Sequence, residues 1–238
     1  MIKQIEKTKD KLVLTADIDI SLANAIRRSV NEIPILAVDE VDIYKNDSAL
    51  YDQIIAHRVG LIPLKNQKLK EGQTADLKLK GAEKEVLSKE FKGQAEVVYD
   101  DIPIVLLGKN QEIELVAKAR MGKGTEHAKF IPGLVYYRIL PKIEIAKEGE
   151  KHSELAEIYP KVFSFENGKL KVKNEWECDL DQEDVKEFKG ITITPTNELT
   201  FIIESWGQIE PKSILTESIK ELNNNLSELS KSLKSEKQ

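Results

Sequence analysis

Gly122-Lys123-Gly124-Thr125 sets a lysine among glycines, the composition of a loop that cradles phosphate. Such a loop needs glycine six residues before its lysine and Ser or Thr directly after it. Ala117 and Gly124 stand there instead, so the stretch reads as a tight turn between strands. Asp179-Leu180-Asp181-Gln182-Glu183 has the oxygen-ligand spacing that opens a calcium loop. That loop requires Gly at its sixth position and a bidentate Glu at its twelfth. Asp184 and Gly190 occupy those positions, so the run reads as surface charge. His57, His127 and His152 are the only histidines, and none has another His or Cys at ligand spacing. Glu126 beside His127 has the residue types of an acid–base pair, but neighbours on a strand point to opposite faces. No serine sits in a nucleophile elbow, and Asp100-Asp101 ahead of Pro103 reads as a turn. No catalytic residue, metal ligand or cofactor contact is expected, which directs the reading toward binding or assembly.

Composition narrows the classes further. With 238 residues, 40% hydrophobic and 32% charged, the chain has room for a real core and one or two domains. A net charge of −5 argues against an electrostatic nucleic-acid binder, and 6% aromatic residues against a base-stacking surface. The longest apolar runs, such as Ile102 to Leu107, are too short to cross a bilayer. The N-terminus lacks a signal-peptide core, so a cytoplasmic location is expected. Cys178 is the only cysteine, which excludes an internal disulfide and any multi-cysteine metal or iron–sulfur site within the chain.

The elements that position these residues follow from periodicity. Leu12, Leu14, Ala16, Ile18 and Ile20 alternate as in a strand. A short helix over Ser21 to Pro34 follows, with Ser21 as its cap and Pro34 as its stop. Leu22, Ile26, Val30 and Ile33 form its apolar face, and Arg27 and Arg28 fall toward the other side. A core helix with a solvated basic edge accounts for this pattern as well as an interface does. A strand over Ile35 to Tyr44 changes phase near Asp39-Glu40, as a bulge would require. A second helix over Tyr51 to Val59 ends at Gly60, read as a left-handed stop. Short strands around Leu77, Val97, Leu115 and Tyr137 make the next stretch a β-rich body. Beyond it lie a short helix near His152 to Tyr159 and a hairpin turning at Asn167-Gly168. Between Asn174 and Gly190, seven acidic residues outnumber two lysines, as on a solvated face. Two strands, Ile191 to Thr194 and Leu199 to Trp206, are expected either side of Pro195.

From Pro211 a long terminal helix begins, with Pro in its tolerated first turn. Leu215, Ile219, Leu222, Leu226, Leu229 and Leu233 are spaced 4-3-4-3-4, an a/d seam. Burying six such side chains contributes on the order of 10 kcal/mol gross, before entropy losses. A narrow seam on an otherwise polar helix predicts a helical partner, from this chain or another.

Four stretches together resemble the D-type family of archaeal DNA-directed RNA polymerase subunits, counterpart of the bacterial alpha N-terminal region and of the eukaryotic third-largest subunits. They are Asn24 to Arg28 with Ile33-Pro34 and Ala37 to Asp39; Ala56 to Leu64; Gly122 to Phe130; and Phe201 to Gly207 with the terminal helix. The resemblance implies an α+β fold: a discontinuous dimerisation domain, built of a sheet and the first and last helices, carrying an inserted β-rich domain. The implied segments are 1–45 and 191–238 for dimerisation, 46–147 for the insertion, and 148–190 for a small α/β subregion. Some family members hold iron–sulfur clusters in that last place; with Cys178 alone, a cluster-free version and no cofactor are expected.

The same resemblance implies the partners. Leu22, Ile26, Val30 and the Leu215 to Leu233 seam would build a four-helix contact with the smaller subunit L, and Arg27 and Arg28 would face the large catalytic subunits. Subunits N and P would join this platform, with no direct sequence-specific DNA binding, no membrane and no catalysis by this chain itself. Transcription would be the process served. Two competing readings remain: a homodimeric coiled-coil scaffold using the same seam, and an enzyme using Glu126 and His127, which would lack a nucleophile, a metal site and a cofactor loop.

Overall fold

The computed structural model describes residues 2–70 and 72–235. Residues 1, 71 and 236–238, the last three within the segment assigned to the terminal helix, lie outside the described residues. The chain forms two compact units. One comprises residues up to Lys7, Leu12–Ala23 and Tyr136–Ile202; the other comprises Thr8–Lys11, Asn24–Val135 and everything from Ile203 onward. These boundaries differ from the four-segment division, since the long strands β9 (Gly133–Ile145) and β12 (Ile191–Ser205) each have residues in both units.

In the first unit, β1 (Ile2–Lys7) and β2 (Lys11–Ala16) pair antiparallel with a bulge between Gln4 and Glu6. With β12 and β9 they form a sheet in the order β1-β2-β12-β9. Strand β1 is not expected from the sequence: Ile2 and Ile5 alternate out of phase and are exposed, leaving little apolar pattern to read. Strand β2 is shorter than the expected strand, because Ala16 is followed by a break before the first helix. β12 is one continuous strand, where two were expected around Pro195. Thr196 bridges the place where proline removes a ladder donor: its hydroxyl donates to the Leu140 carbonyl at 2.6 Å and accepts the Glu198 N–H at 3.1 Å.

Residues 148–190 make their own small core on this unit. Leu155 from α3 (Glu154–Ile158) packs with Phe163 and Leu170 from the hairpin β10 (Phe163–Glu166) and β11 (Lys169–Val172). The hairpin turns at Asn167 (φ 54°) and Gly168 (φ 76°), the positive-φ pair that matches strand twist. The acidic stretch is only partly a solvated face, because Cys178 and Val185 point inward and join the core. His152 is pinned here by the Lys189 carbonyl at 3.2 Å, Glu154 at 3.1 Å and the edge of Phe188.

The second unit is built on an antiparallel sheet in the order β3-β8-β4-β6, from β3 (Ile35–Asn46), β4 (Ala75–Ala82), β6 (Lys92–Gly93) and β8 (Glu112–Gly122). β4 alternates strictly between buried and exposed positions, so Leu77 and Leu79 enter the core while Lys78 and Lys80 face water. The register of β3 against β8 slips between Val38 and Glu40, which is the bulge that the change of phase requires. A ribbon of β5 (Glu85–Leu87) and β7 (Pro103–Leu106) lies beside helix α2 (Asp52–Gly60), which buries Ile55 and Val59 against β3 and β7. Gly60 is not the left-handed stop expected. The helix ends instead with the Leu61 N–H doubling onto the Arg58 and Val59 carbonyls, in a right-handed conformation open to any residue. Ala95 to Tyr99 is not a full strand, because its partner is only the short Pro63–Lys65 segment, bonded through Val98 N–H to Pro63 and Lys65 N–H to Glu96.

Candidate interaction surface

Helix α1 spans Ile20–Ser29 and continues as a tight 3-10 turn over Val30–Glu32. Its cap is Asp19, not Ser21. The Asp19 carbonyl accepts the Ala23 N–H at 3.0 Å, and its carboxylate accepts the Ser21 N–H at 2.7 Å and the Ser21 hydroxyl. The Ser21 hydroxyl bond, followed by its N–H, holds the Asp19 carboxyl below the usual carboxylate range. Along this helix the expected apolar face divides. Ile26 and Val30 are buried within the chain itself, whereas Leu22 is 46% exposed. Arg27 is held to Asn24 one turn back, through Nε at 3.2 Å and Nη2 at 2.9 Å, and both Arg27 and Arg28 stand in the last turn facing solvent. The helix dipole favours them there, which gives their position a structural use.

Helix α4 (Pro211–Ser235) starts after a turn that leaves no latitude at Gly207. Gly207 has φ +86°, and a Cβ there would meet the Val98 side chain at 2.5 Å. Ser205 locks the same turn, donating its hydroxyl to the Ile209 carbonyl and accepting the Gly207 N–H at 2.9 Å. The first two turns pack on their own unit. Pro211, Ile214 and Ser218 are buried, Leu215 and Leu222 are half-buried, and the helix leans on the Val30–Glu32 turn. Ile219 is exposed, and beyond Leu222 the described residues offer the seam no cover. Leu226, Leu229 and Leu233 are 55%, 58% and 56% exposed, in line along the helix with Ser230 and Lys234 beside them. Contiguous apolar surface of this kind is uncommon on a monomer.

The charged residues singled out in Gly122 to Phe130 perform a different task. Asp39, at the bulge of β3, accepts Arg120 Nε at 2.7 Å and Lys129 Nζ at 2.8 Å. Arg120 also donates to Glu126 at 2.9 Å, and both cations lie about 5 Å from the ring centre of Phe130, which is fully buried. Glu126 closes the turn by accepting the Lys123 N–H at 2.9 Å. His127 caps the next turn by accepting the Lys129 N–H at its Nδ1. Glu126 and His127 therefore make no acid–base pair. The Lys123 N–H first, and Arg120 second, hold the Glu126 carboxyl below its ordinary range. The glycines are there for space: a Cβ on Gly122 would meet the Phe130 ring at 2.6 Å, and one on Gly124 the Ile131 side chain at 2.7 Å. Asp181 likewise spends its carboxylate on the Glu183 and Asp184 N–H groups. Among the described residues no cluster of His, Cys, Asp or Glu is arranged to hold a metal ion, and no helix is long and apolar enough to cross a membrane.

One surface escaped the sequence reading. Leu61, Tyr99 and Trp206, all substantially exposed, meet with Pro63 and Ile131 around a groove of about 420 Å³. They come from separate segments, and no spacing rule joins them.

The match to known families runs through these same elements. Residues 13–226 match the RNA polymerase Rpb3/Rpb11 dimerisation domain, from β2 through most of α4. The chain belongs to that family. Curated relatives are DNA-directed RNA polymerase subunit Rpo3 proteins of archaea. That of Pyrococcus horikoshii is 31% identical over 238 residues, covering 90% of each chain. That of Archaeoglobus fulgidus is 31% identical over 234 residues, covering 89% of each. That of Thermococcus kodakarensis reaches 38% over 170 residues and 66% of each. The mixed α and β architecture, with four α-helices among the described residues, is consistent with this family of transcription proteins. Leu229 and Leu233 continue the exposed seam beyond the matched span.

The Asp39 network has a pH signature. Hydrogen bonds from Arg120 and then Lys129 lower the Asp39 pKa from 3.8. A depressed folded value means that the contribution is complete above the unfolded pKa and is lost as pH falls through the folded one. Asp39→Asn is expected to cost about 1–2 kcal/mol at neutral pH, since the cluster is partly exposed and so partly screened, and to flatten the loss of stability below about pH 4. Urea unfolding across that range checks both; an Asn variant that keeps the parent's acid profile contradicts the assignment.

Proposed function

We propose that this chain is a non-catalytic assembly subunit of multisubunit DNA-directed RNA polymerase. It heterodimerises with subunit L and forms the platform on which the large catalytic subunits assemble, joined by subunits N and P. The observation that carries this reading is the exposed leucine seam of α4, at heptad spacing, in a chain of a dimerisation-domain family. Leu22 on α1, with Leu215, Ile219, Leu222, Leu226, Leu229 and Leu233 on α4, would supply the contact. Ile26 and Val30 would support it from beneath, since they are already buried. Arg27 and Arg28 would face the large subunits, which would carry the metal and form phosphodiester bonds. The local bonds of Glu126 and His127 support a chain with no active site of its own.

Residues 148–190 do not fit an iron–sulfur cluster. Cys178 supplies the chain's one thiol, it sits in an apolar core, and burial pushes its pKa up, away from the thiolate that ligates iron. We propose a cluster-free region kept for packing.

Co-expression with the L-type subunit tests the main reading. A one-to-one heterodimer is expected; a homodimer indifferent to L favours the scaffold alternative. Leu222→Lys with Leu226→Lys is expected to abolish pairing, a loss of at least about 3 kcal/mol from two charges placed in an apolar contact, while the β-rich unit stays folded. Survival of pairing removes the seam assignment. Arg27→Ala with Arg28→Ala is expected to spare the heterodimer and weaken docking of the large subunits. For residues 148–190, iron and acid-labile sulfide in anaerobically purified protein are expected at background; stoichiometric amounts would overturn the cluster-free assignment.

A further inference from the structure

Residues 148–190 enter and leave their small core at one crossing. The Ala146 N–H donates to the Gly190 carbonyl at 2.8 Å, and a Cβ on Gly190 would stand 2.5 Å from the Gly149 nitrogen, so the two backbones touch there. His152 bridges the same crossing. Its Nδ1 lies 3.1 Å from a Glu154 carboxylate oxygen at the start of α3, and its Nε2 lies 3.2 Å from the Lys189 carbonyl oxygen on the way out. Phe188 packs against the imidazole at 84° between the rings.

Both neighbours of the ring are acceptors. A carboxylate and a carbonyl have no proton to give, so each contact is a hydrogen bond only when the ring nitrogen carries the proton. Neutral imidazole has one N–H and imidazolium has two. On the neutral ring, one nitrogen lone pair would stand against an oxygen lone pair, in a side chain that is only 15% exposed. Glu154 stays an acceptor: its own backbone N–H first, and His152 second, hold its carboxyl below the ordinary range. The other charged groups of the two segments are engaged elsewhere or exposed. Glu150 is paired with Lys169 at 2.7 Å and Lys186 with Glu183 at 3.2 Å, while Lys151, Glu148, Glu187 and Lys189 are exposed.

We propose that His152 is a proton-operated latch: the doubly protonated ring ties the start of α3 to the Lys189 carbonyl and closes the crossing of residues 148–190, and loss of one proton releases one side. The released side is Glu154, which is 51% exposed and has water to turn to, whereas the Lys189 carbonyl is fixed by the backbone crossing. A bond that only the charged ring can make is complete below the ordinary histidine range, near about pH 6.5, and is lost as pH rises through it. The latch acts on residues 148–190 alone and does not depend on the pairing of α4.

The test is amide exchange of the full chain, expressed as protection relative to the intrinsic rate at each pH. The N–H groups of Ala146, Gly149, His152, Leu155 and Ile191 bond at or beside this crossing. Their protection is expected to fall by about five-fold or more between about pH 5.5 and about pH 8, while that of β4 and β8 changes by less than about two-fold. Unchanged protection at the crossing, or an equal fall in β4 and β8, overturns the proposal. His152→Gln keeps one donor and removes the titration, so its protection at the crossing is expected to be the same at both pH values to within about two-fold; a fall equal to the parent's overturns the proposal. Proton and nitrogen NMR of the parent ring supplies a readout that needs no variant. At about pH 5.5, N–H signals that exchange slowly are expected on both ring nitrogens of His152, assigned through their proximity to Phe188, because each proton is held in a bond away from water. A slow N–H on one nitrogen only, or on neither, overturns the latch.

Discussion

Apolar side chains at heptad spacing on a helix cannot all be satisfied by one small sheet. The first two turns of α4 find cover on their own unit through Ile214 and Ser218, but Leu226, Leu229 and Leu233 do not. Exposed leucines each forgo roughly 1.5–3 kcal/mol of burial, and a spacing sustained over several turns is what the proposed pairing would use. The remaining structure presents that seam. The Gly207 turn sets where α4 starts, and the packing of its first turns on Val30–Glu32 leaves the outward leucines available.

Charge serves construction elsewhere. The β3 bulge at Asp39 brings a carboxylate to Arg120 and Lys129, and the cations in turn close over Phe130. Residues that look chemical in one dimension, Glu126, His127 and Lys123, each have a local bond that occupies the reactive atom or its partner. A carboxylate held ionised by two donors is a poor proton donor and a good clamp. In this way a strongly patterned polar cluster serves the construction of the fold.

Much of this was legible in the sequence, unevenly. Strong periodicity read well: β4, the α4 seam and the Asn167-Gly168 hairpin depend on spacing alone, and the structure forms each of them. The bulge at Asp39 was readable because a slip of one residue inverts every side chain after it. What failed depended on distant partners. Pro195 signalled a break, and Thr196 mended it through Leu140. Gly60 signalled a left-handed cap, and the chain used an ordinary right-handed one. Ser21 looked like the cap, although Asp19 does the capping from two residues earlier. Of the exposed apolar surface, the seam was visible and the groove of Leu61, Tyr99 and Trp206 was not, since only tertiary folding brings those residues together. The burial of Ile26 and Val30 could not be separated from an interface in one dimension, because a core face and a pairing face share one pattern.

The central claim is that the outer half of α4 is covered by a partner and not by the chain itself. Backbone amide exchange over residues 223–235 reads this directly, because amides of a helix without tertiary cover exchange through local opening. In the free chain these amides are predicted to exchange much faster than those of β3 and β8, and pairing with the L-type subunit is predicted to slow them by about ten-fold or more. A stable complex in which the same amides exchange as fast as in the free chain would contradict the account.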